Sequence, residues 1–223
     1  MAGSEERITI ETGKGTVSAA FSRPDGAFAT LVLAHGAGAG MDHPFMTGFS
    51  EAVEAEGVAT LRFNFSYMEA GRRSVDRAPV AIDAWRAVFD DAAKRTPDIP
   101  VWAGGKSYGG RIASMAVAEG MPAAGLVFLG YPLHPPGKPE RVRDEHLYGI
   151  AVPMLFLEGT ADPFATPAVL KPVLAKLGDR ATLYEVEGGG HSFEVRGTKR
   201  DPRAAAAALA PVAAAFIRTL AGA

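Results

Sequence analysis

The 223-residue chain is long enough for one large α/β domain or two small ones, and because no linker-like stretch divides it, we expect a single domain over residues 1–223. Hydrophobic residues make up 48% of the chain and charged residues 22%, a balance typical of a globular protein and not of a disordered one. A net charge of −2 without a long basic run argues against nucleic acid and membrane surfaces as partners, and the absence of cysteine excludes disulfides and a thiolate nucleophile.

The first residues are polar and acidic, and they run directly into a predicted strand at residues 7–10. They contain no apolar segment of the kind that a signal peptide needs, so we expect a cytoplasmic protein. The longest apolar stretches fall short of the roughly 20 residues that cross a bilayer, and we therefore expect no membrane-spanning helix.

Apolar runs bounded by turn residues alternate with segments of helical period along the chain. This alternation predicts an α/β fold in which a mostly parallel central sheet carries helices on both faces. The first two strands are expected to form an antiparallel edge, at residues 7–10 and 16–21. The other predicted strands are residues 29–34, 58–63, 99–103, 125–129, 153–157 and 181–186. The predicted helices are residues 44–56, 76–95, 107–119, 167–177 and 202–220.

One stretch differs from this pattern, at residues 131–149. It is rich in proline and charged residues, which predicts a connection with at most a short helix. Because only about twenty residues separate Tyr131 from Pro153, there is no room for a large cap domain between the flanking strands, and we expect an open site.

A nucleophile is predicted at Ser107, within the sequence Gly-Lys-Ser-Tyr-Gly of residues 105–109. This is the G-x-S-x-G pattern, in which a serine lies on a tight turn from a strand into a helix and glycines relieve crowding around it. The pattern is short and arises easily by chance, but here an apolar strand precedes it and an alanine-rich helix follows it. That context favours a functional nucleophile over a structural Gly-Ser turn.

A serine hydroxyl needs a base within hydrogen-bond reach and an acid that orients the base. In this type of fold the chain order is serine, acid, histidine, and His191 is the one histidine beyond Asp162. Asp162 is the preferred acid because it lies on the loop after a strand, whereas Glu158 lies at the strand's end and Glu194 is a reserve candidate. The remaining histidines are interpreted as loop hydrogen-bonding residues, namely His35, His43, His134 and His146.

The oxyanion hole is expected to use backbone amides. One is that of Tyr108, directly after the nucleophile, and the second comes from the glycine-rich loop that follows the third strand. Within that loop Ala37 is preferred and Gly38 is next. The alternative is that the loop only spaces a strand from a helix.

Two other glycine patterns fail on inspection. A phosphate-binding P-loop ending at Ser107 would need glycine at position 100, which is Pro100. A dinucleotide loop starting at Gly36 would need glycine at position 41, which is Met41. The histidines and acids also lack the H-E-x-x-H spacing of a metal site. We therefore expect neither a cofactor nor a metal.

The sequence resembles the small α/β-hydrolases related to dienelactone hydrolases, in particular the KANL/Tex type. The matching stretches span nearly the whole chain: residues 33–42 (LAHGAGAGMD), 62–69 (RFNFSYME), 104–111 (GGKSYGGR), 130–139 (GYPLHPPGKP) and 159–164 (GTADPF). The resemblance implies an α/β-hydrolase fold and a Ser-Asp-His triad at the positions given above. Dienelactone hydrolases proper have a cysteine nucleophile where this chain has Ser107, and one animal branch of the KANL/Tex type serves as a subunit of a chromatin complex.

Two classes of function follow from these residues. The first is a serine hydrolase that cleaves an ester or thioester of a small soluble acyl substrate through an acyl-enzyme. The alternative is a non-catalytic or weakly catalytic binding or scaffold protein on the same fold, while a peptidase is disfavoured for lack of an added domain. An arginine group would suit an acidic substrate, although surface solvation explains it better: Arg62, Arg72, Arg73 and Arg111. The oligomeric state is left open.

Overall fold

The computed structural model describes residues 4–197 and 201–222 of the chain. The predicted domain over residues 1–223 also includes residues 1–3, 198–200 and 223, which lie outside the described residues. The single domain over residues 1–223 therefore stays a prediction.

The centre of the fold is an eight-stranded sheet with the strand order β1-β2-β4-β3-β5-β6-β7-β8. Strand β2 is antiparallel to both of its neighbours, and all other adjacent pairs are parallel. The predicted antiparallel edge and the mostly parallel sheet are thus confirmed. The strands are β1 (Glu6–Thr12), β2 (Gly15–Ser22), β3 (Ala29–Ala34), β4 (Val58–Phe63), β5 (Val101–Lys106), β6 (Leu126–Leu129), β7 (Met154–Gly159) and β8 (Ala181–Val186).

Helices cover both faces of the sheet, and each face has its own hydrophobic core. Strand β3 shows the division, because Val32 and Ala34 pack into one core while Leu31 and Leu33 pack into the other. A strand that is buried on both faces carries mostly apolar residues, and the one polar side chain in β3, Thr30, is hydrogen-bonded to Thr96 at 2.8 Å. The helices are α1 (Pro44–Ala55), α2 (Ser66–Glu69), α3 (Ala78–Arg95), α4 (Tyr108–Ala118), α5 (Pro167–Leu177), α6 (Pro202–Ala207) and α7 (Ala210–Ala221), with 3₁₀ turns at Glu145–Gly149 and Gly178–Arg180.

The fifth strand was predicted at residues 99–103, whereas β5 runs from Val101 to Lys106. The reason is steric. A Cβ atom at Gly104 would lie 2.4 Å from the carbonyl oxygen of Val127 on the adjacent strand β6. Glycine is therefore needed inside the strand and does not end it. As a result, the strand delivers the chain directly to Ser107.

The predicted closing helix at residues 202–220 is broken in the structure. Helix α6 ends at Ala207 and α7 begins at Ala210, with Pro211 in its first turn. Proline has no amide hydrogen, and its ring clashes with the carbonyl four residues earlier, which here belongs to Ala207. The helix therefore ends at that residue and starts again with proline in a tolerated position. The four-residue helix α2 was not predicted.

The segment Pro202–Ala221 is long and apolar enough to cross a bilayer, with a mean hydropathy of 1.7, although no membrane span had been expected. Length and composition alone are weak evidence for such a role, because core helices pass the same test. In this fold Ala206, Ala213 and Ile217 are buried in the core beneath α6 and α7. The side of the segment that faces α1 and β3 packs into this core, which accounts for the apolar residues on that side.

Candidate active site

Ser107 lies on a sharp turn between β5 and α4. Its backbone angles are φ 50° and ψ −114°, in the left-handed half of the map that non-glycine residues rarely adopt. Such a conformation is strained by about 1–3 kcal/mol and persists only where the surroundings hold it. A Cβ atom at Gly105 or at Gly109 would lie 2.3 Å from the carbonyl oxygen of Ala34. Both glycines of the predicted motif are therefore required by close backbone packing.

Three of the predicted site residues form one hydrogen-bonded chain. The Oγ atom of Ser107 lies 2.8 Å from Nε2 of His191, and Nδ1 of His191 lies 2.6 Å from Oδ2 of Asp162. The carboxylate accepts from Nδ1–H, which leaves Nε2 free to accept from the serine hydroxyl. Asp162 is fully buried, and its Oδ1 atom also accepts from the amide of Phe164 at 2.7 Å. The carboxylate is thus fixed on both oxygens.

The two other acidic candidates do not contact the imidazole. Glu158 is buried at the end of β7, where its Oε1 atom accepts from the amide of Tyr131 at 2.5 Å and its Oε2 atom has no partner among the described residues. Burial raises the pKa of this carboxyl well above its usual range, which favours the protonated form. Glu194 accepts from the amide of Ser192 at 2.9 Å. The acid that contacts His191 is therefore Asp162, on the loop after β7, and not Glu158, at the end of that strand.

Lys106, which the sequence analysis did not single out, belongs to the same site. It directly precedes Ser107, and its Nζ atom donates to the carbonyl oxygen of His191 at 2.6 Å. The side chain is 8% exposed. Burial lowers the pKa of Lys106 to about 8, although the negative charges of nearby carboxylates oppose this shift. A lysine at the end of an otherwise apolar strand was the signal in the sequence.

The predicted oxyanion residues lie beside the serine. Ala37 and Gly38 line the same cleft as Ser107, and the Tyr108 amide belongs to the first turn of α4, where amides have no partner within the helix. The Gly38 amide already donates to the hydroxyl of Tyr67 at 3.3 Å. Of the two loop candidates, Gly38 is the one whose amide is already hydrogen-bonded, to Tyr67.

His35 forms hydrogen bonds to the backbone of this loop and of a neighbouring segment, which fits its interpretation as a loop hydrogen-bonding residue. Its Nδ1 atom lies 2.8 Å from the Gly36 carbonyl, and its Nε2 atom accepts from the amide of Phe65 at 3.2 Å. Burial lowers the pKa of His35, so the neutral form is favoured. An imidazole that donates at one nitrogen and accepts at the other suits this neutral state.

A cleft of about 540 Å³ opens above Ser107 and His191. Apolar side chains form much of its wall, among them Phe45, Met46 and Phe164. The Phe164 ring packs edge-on against the imidazole of His191, with a centroid distance of 4.6 Å. The cleft therefore offers an apolar surface next to a polar reacting centre.

The arginine group is not part of this cleft. Arg62 is buried and forms ion pairs with Glu5 and Asp42, and Arg72 pairs with Asp76 at 2.5 Å. The interpretation as pairing and solvation therefore fits these two residues, and no arginine among residues 4–197 and 201–222 lines the cleft. Within residues 4–197 and 201–222, no group of three or more metal-ligating side chains is arranged to hold a metal ion.

The model of the alpha/beta hydrolase domain family matches residues 27–220 of the chain. This range includes Ser107, Asp162 and His191.

Solved structures of similar fold cover nearly the whole chain. A dienelactone hydrolase from Anabaena variabilis has a TM-score of 0.78 and 20% sequence identity over 97% of this chain and 98% of its own. A serine hydrolase without a lid from Xanthomonas campestris has a TM-score of 0.71 and 20% identity, over 97% and 93%. The esterase domain of a Rhodothermus marinus protein has a TM-score of 0.73 and 16% identity, over 97% and 98%. At these identities the likeness shows the fold.

Proposed function

This chain belongs to the alpha/beta hydrolase family, and from that premise we propose that it is a serine hydrolase that cleaves esters or thioesters of small acyl substrates. Ser107 is the nucleophile, His191 the general base and Asp162 the acid that orients the base. The observation that carries the proposal is the continuous hydrogen-bonded chain from Ser107 through His191 to Asp162, which opens on a cleft.

The reaction follows from the geometry. Nε2 of His191 takes the hydroxyl proton of Ser107 while Oγ forms a bond to the acyl carbon, and the carbonyl π electrons move to the oxygen. The buried carboxylate of Asp162 stabilises the imidazolium that results. Collapse of the tetrahedral species breaks the bond to the alcohol or thiol, which leaves with the proton from His191. Water then repeats the sequence on the acyl-enzyme and releases the carboxylic acid.

We assign the oxyanion hole to the amides of Ala37 and Tyr108. Two preorganised donors of this kind stabilise the charge that develops on the carbonyl oxygen, and one donor is worth about 3–4 kcal/mol in the transition state. Gly38 is the weaker candidate because its amide would first have to release the Tyr67 hydroxyl.

The acyl group is proposed to lie against Phe45, Met46 and Phe164. A cleft of about 540 Å³ with these walls suits a small or medium apolar acyl chain. Because the described residues between β6 and β7 form no more than a short 3₁₀ turn, we expect activity on soluble esters without a jump in rate at a lipid surface.

The alternative is a binding or scaffold protein that keeps the fold without turnover. A strained serine whose hydroxyl contacts a carboxylate-backed imidazole contributes nothing to scaffolding, and it favours the hydrolase. The reactivity of the Oγ atom of Ser107 distinguishes the hydrolase from the scaffold protein.

The test is covalent labelling of purified protein with a fluorophosphonate, followed by mass spectrometry of the peptide that contains the adduct. The expected result is a single adduct on Ser107 that is absent from Ser107→Ala and strongly reduced in His191→Ala. Ser114→Ala serves as the matched control and should label like the wild type. A folded protein whose Ser107 does not react would overturn the hydrolase and favour the scaffold.

A further inference from the structure

We propose that Lys106 is a positioning residue that places the His191 imidazole, by donating a hydrogen bond from its side-chain nitrogen to the His191 backbone carbonyl. This inference rests on the proposed roles of Ser107 and His191. It adds to them a residue that lines the same cleft and acts on the base through a backbone carbonyl, not through a reacting atom.

Lys106 connects the two halves of the serine–histidine pair. Through its backbone it is the direct neighbour of Ser107 at the end of β5, and through its Nζ atom it holds the carbonyl of His191 at 2.6 Å. The backbone of Lys106 is thus bonded to Ser107, and the end of its side chain is hydrogen-bonded to His191. The length of the lysine side chain therefore sets part of the distance between the nucleophile and the base.

The backbone on both sides of His191 is held by hydrogen bonds, and Lys106 holds the carbonyl between them. Three consecutive glycines precede the histidine, at residues 188–190, and the amides of the first two donate to the Thr160 hydroxyl at 2.8 Å and the Val186 carbonyl at 3.0 Å. After the histidine the chain is fixed by the buried Phe193 and by a hydrogen bond from the Gly190 amide to the Glu194 carbonyl at 2.9 Å. The carbonyl of His191 itself is held by Lys106.

The surroundings of the Lys106 nitrogen are specialised for this contact. A Cβ atom at Gly130 would lie 3.2 Å from Nζ and 3.0 Å from the His191 carbonyl oxygen, so glycine leaves the space that the bond occupies. The rings of Phe45 and Phe193 lie 5.8 and 5.9 Å from Nζ. The charged or titratable groups that face the nitrogen are the carboxyls of Asp162, Glu158 and Glu194.

Protonation of Lys106 is expected to govern the strength of this anchor. An ammonium donates a stronger hydrogen bond than a neutral amine does. Burial lowers the pKa of Lys106 to about 8, against the attraction of the three carboxyls. Above this pH the anchor weakens, and the activity should fall although His191 remains a competent base.

The first experiment measures kcat/KM for p-nitrophenyl acetate from pH 6 to pH 10 in the wild type and in Lys106→Met. Methionine has a similar length and cannot donate. We expect a wild-type decline with a midpoint near pH 8, and a variant that is slower at pH 7 by about 10- to 100-fold, as misplacement by about 1 Å would cause. The variant should also lack the alkaline decline. Lys171→Met, at an exposed position on α5, is the matched control and should behave like the wild type.

An unchanged rate in Lys106→Met, or an alkaline decline with the same midpoint, would overturn the proposal. A merely structural role would lower the rate at all pH values and leave the shape of the profile intact, so the shape separates the two.

The second experiment does not depend on turnover. The proton on Nδ1 of His191, shared with Asp162, should give a low-field NMR resonance at pH 7 that weakens in Lys106→Met and persists in Lys171→Met. A resonance that is unchanged in Lys106→Met, or absent from the wild type, counts against the positioning role. A resonance that depends on Lys106 in a protein that neither hydrolyses esters nor labels at Ser107 would retain the positioning role and overturn the proposed function.

Discussion

Two serine–histidine pairs occur in this molecule, and their distances are almost the same. Ser107 lies 2.8 Å from Nε2 of His191, and Ser114 lies 2.9 Å from Nε2 of His146. Both serines belong to the segment that begins at the end of β5 and continues through α4. The distance between hydroxyl and imidazole therefore does not distinguish a nucleophile from a structural serine.

The surroundings of the two hydroxyls do distinguish them. Ser107 sits on a strained turn and lines the cleft. Ser114 is fully buried in a regular helix, where its hydroxyl donates to the Arg111 carbonyl at 2.7 Å and contacts the Tyr131 hydroxyl at 2.9 Å. Ser107 therefore has access to a substrate and a hydroxyl proton that is directed at an imidazole, whereas Ser114 has neither.

The two imidazoles differ in their second partner. His191 has the buried carboxylate of Asp162 behind it at 2.6 Å, which stabilises a positive charge. His146 is half-buried, its Nε2 atom also lies 3.1 Å from the Tyr131 hydroxyl, and burial together with the charges of Arg111 and Arg143 lowers its pKa to about 4. The lesson is that a base needs an acid behind it, and His146 instead acts as a neutral hydrogen-bonding partner.

The largest expected effect comes from removing each hydroxyl in turn. Ser107→Ala should lower kcat/KM for a p-nitrophenyl ester by about 10³- to 10⁶-fold and leave the free energy of unfolding nearly unchanged. Ser114→Ala should do the reverse, because it removes the Ser114 hydrogen bonds to Tyr131 and His146 from a buried network, at about 1–3 kcal/mol, and leaves those two side chains in contact with each other at 3.1 Å. Ester hydrolysis and urea unfolding measure the two quantities. Comparable loss of activity in both variants would erase the distinction between the pairs.

The second prediction compares the acids. Asp162→Asn should lower kcat/KM by about 10³- to 10⁴-fold, because the amide no longer selects the productive form of His191. Asp144→Asn lies near His146, where its carboxylate accepts from the Tyr148 hydroxyl, and should leave the rate within about twofold. The rates are compared at pH 7 on equal amounts of folded protein. A mild effect at Asp162 would remove its proposed role.

The third prediction concerns the backbone near each pair. Gly109→Ala places a Cβ atom against the Ala34 carbonyl, so we expect a loss of about 10²-fold in activity together with about 1–3 kcal/mol of stability. Gly149→Ala, at the end of the 3₁₀ turn that carries His146, meets nothing within 4 Å and serves as the control. Activity and urea unfolding are measured on both variants. A tolerated alanine at position 109 would show that the turn at Ser107 is not held by close packing.

The smallest effect is a pH dependence of stability due to His146. Its pKa is lowered to about 4 in the fold, so between about pH 6.5 and pH 4 the unfolded chain binds a proton that the folded chain does not. The contribution is fully present above about pH 6.5 and is lost as the pH falls to 4, by about 1–2 kcal/mol after allowance for partial exposure.

His146→Gln should remove this slope, and the difference between the unfolding free energies of wild type and variant at pH 7 and pH 4.5 measures it. Glutamine keeps a hydrogen-bonding group near Ser114, and the other titrating groups cancel in the difference. An identical pH dependence in the two proteins would mean that His146 is already accessible to protons in the fold. The His146→Gln variant should hydrolyse esters at pH 7 as fast as the wild type does.

Most of the fold was predictable because each strand or helix is specified by residues that are close together in the sequence. Strand β3 was predicted at its observed bounds, since a six-residue run that is apolar except for Thr30 and is bounded by glycine-containing turns has few other solutions. The bounds were wrong where distant backbone decided them. At Gly104 the neighbouring strand requires glycine, so a residue that usually ends a strand continues one.

The candidate site was predictable as far as chain order reaches. The motif around Ser107, the loop position of Asp162 and the location of His191 beyond it all lie in the linear sequence. Lys106 was missed because a lysine before a nucleophile has no fixed partner until the fold is known. Its partner is a carbonyl 85 positions away, on a loop that follows the last strand.

The sequence by itself determined the order of elements, the glycines that a tight turn needs and the place of Ser107 between a strand and a helix, because these depend on covalent neighbours and local sterics. Tertiary structure alone decided which of two serine–histidine contacts faces a cleft. It also decided which carboxylate stands behind an imidazole, and what the buried Lys106 holds. These are contacts between residues that are distant in the chain, and they form only when the parallel strands bring their carboxyl ends to one edge of the sheet.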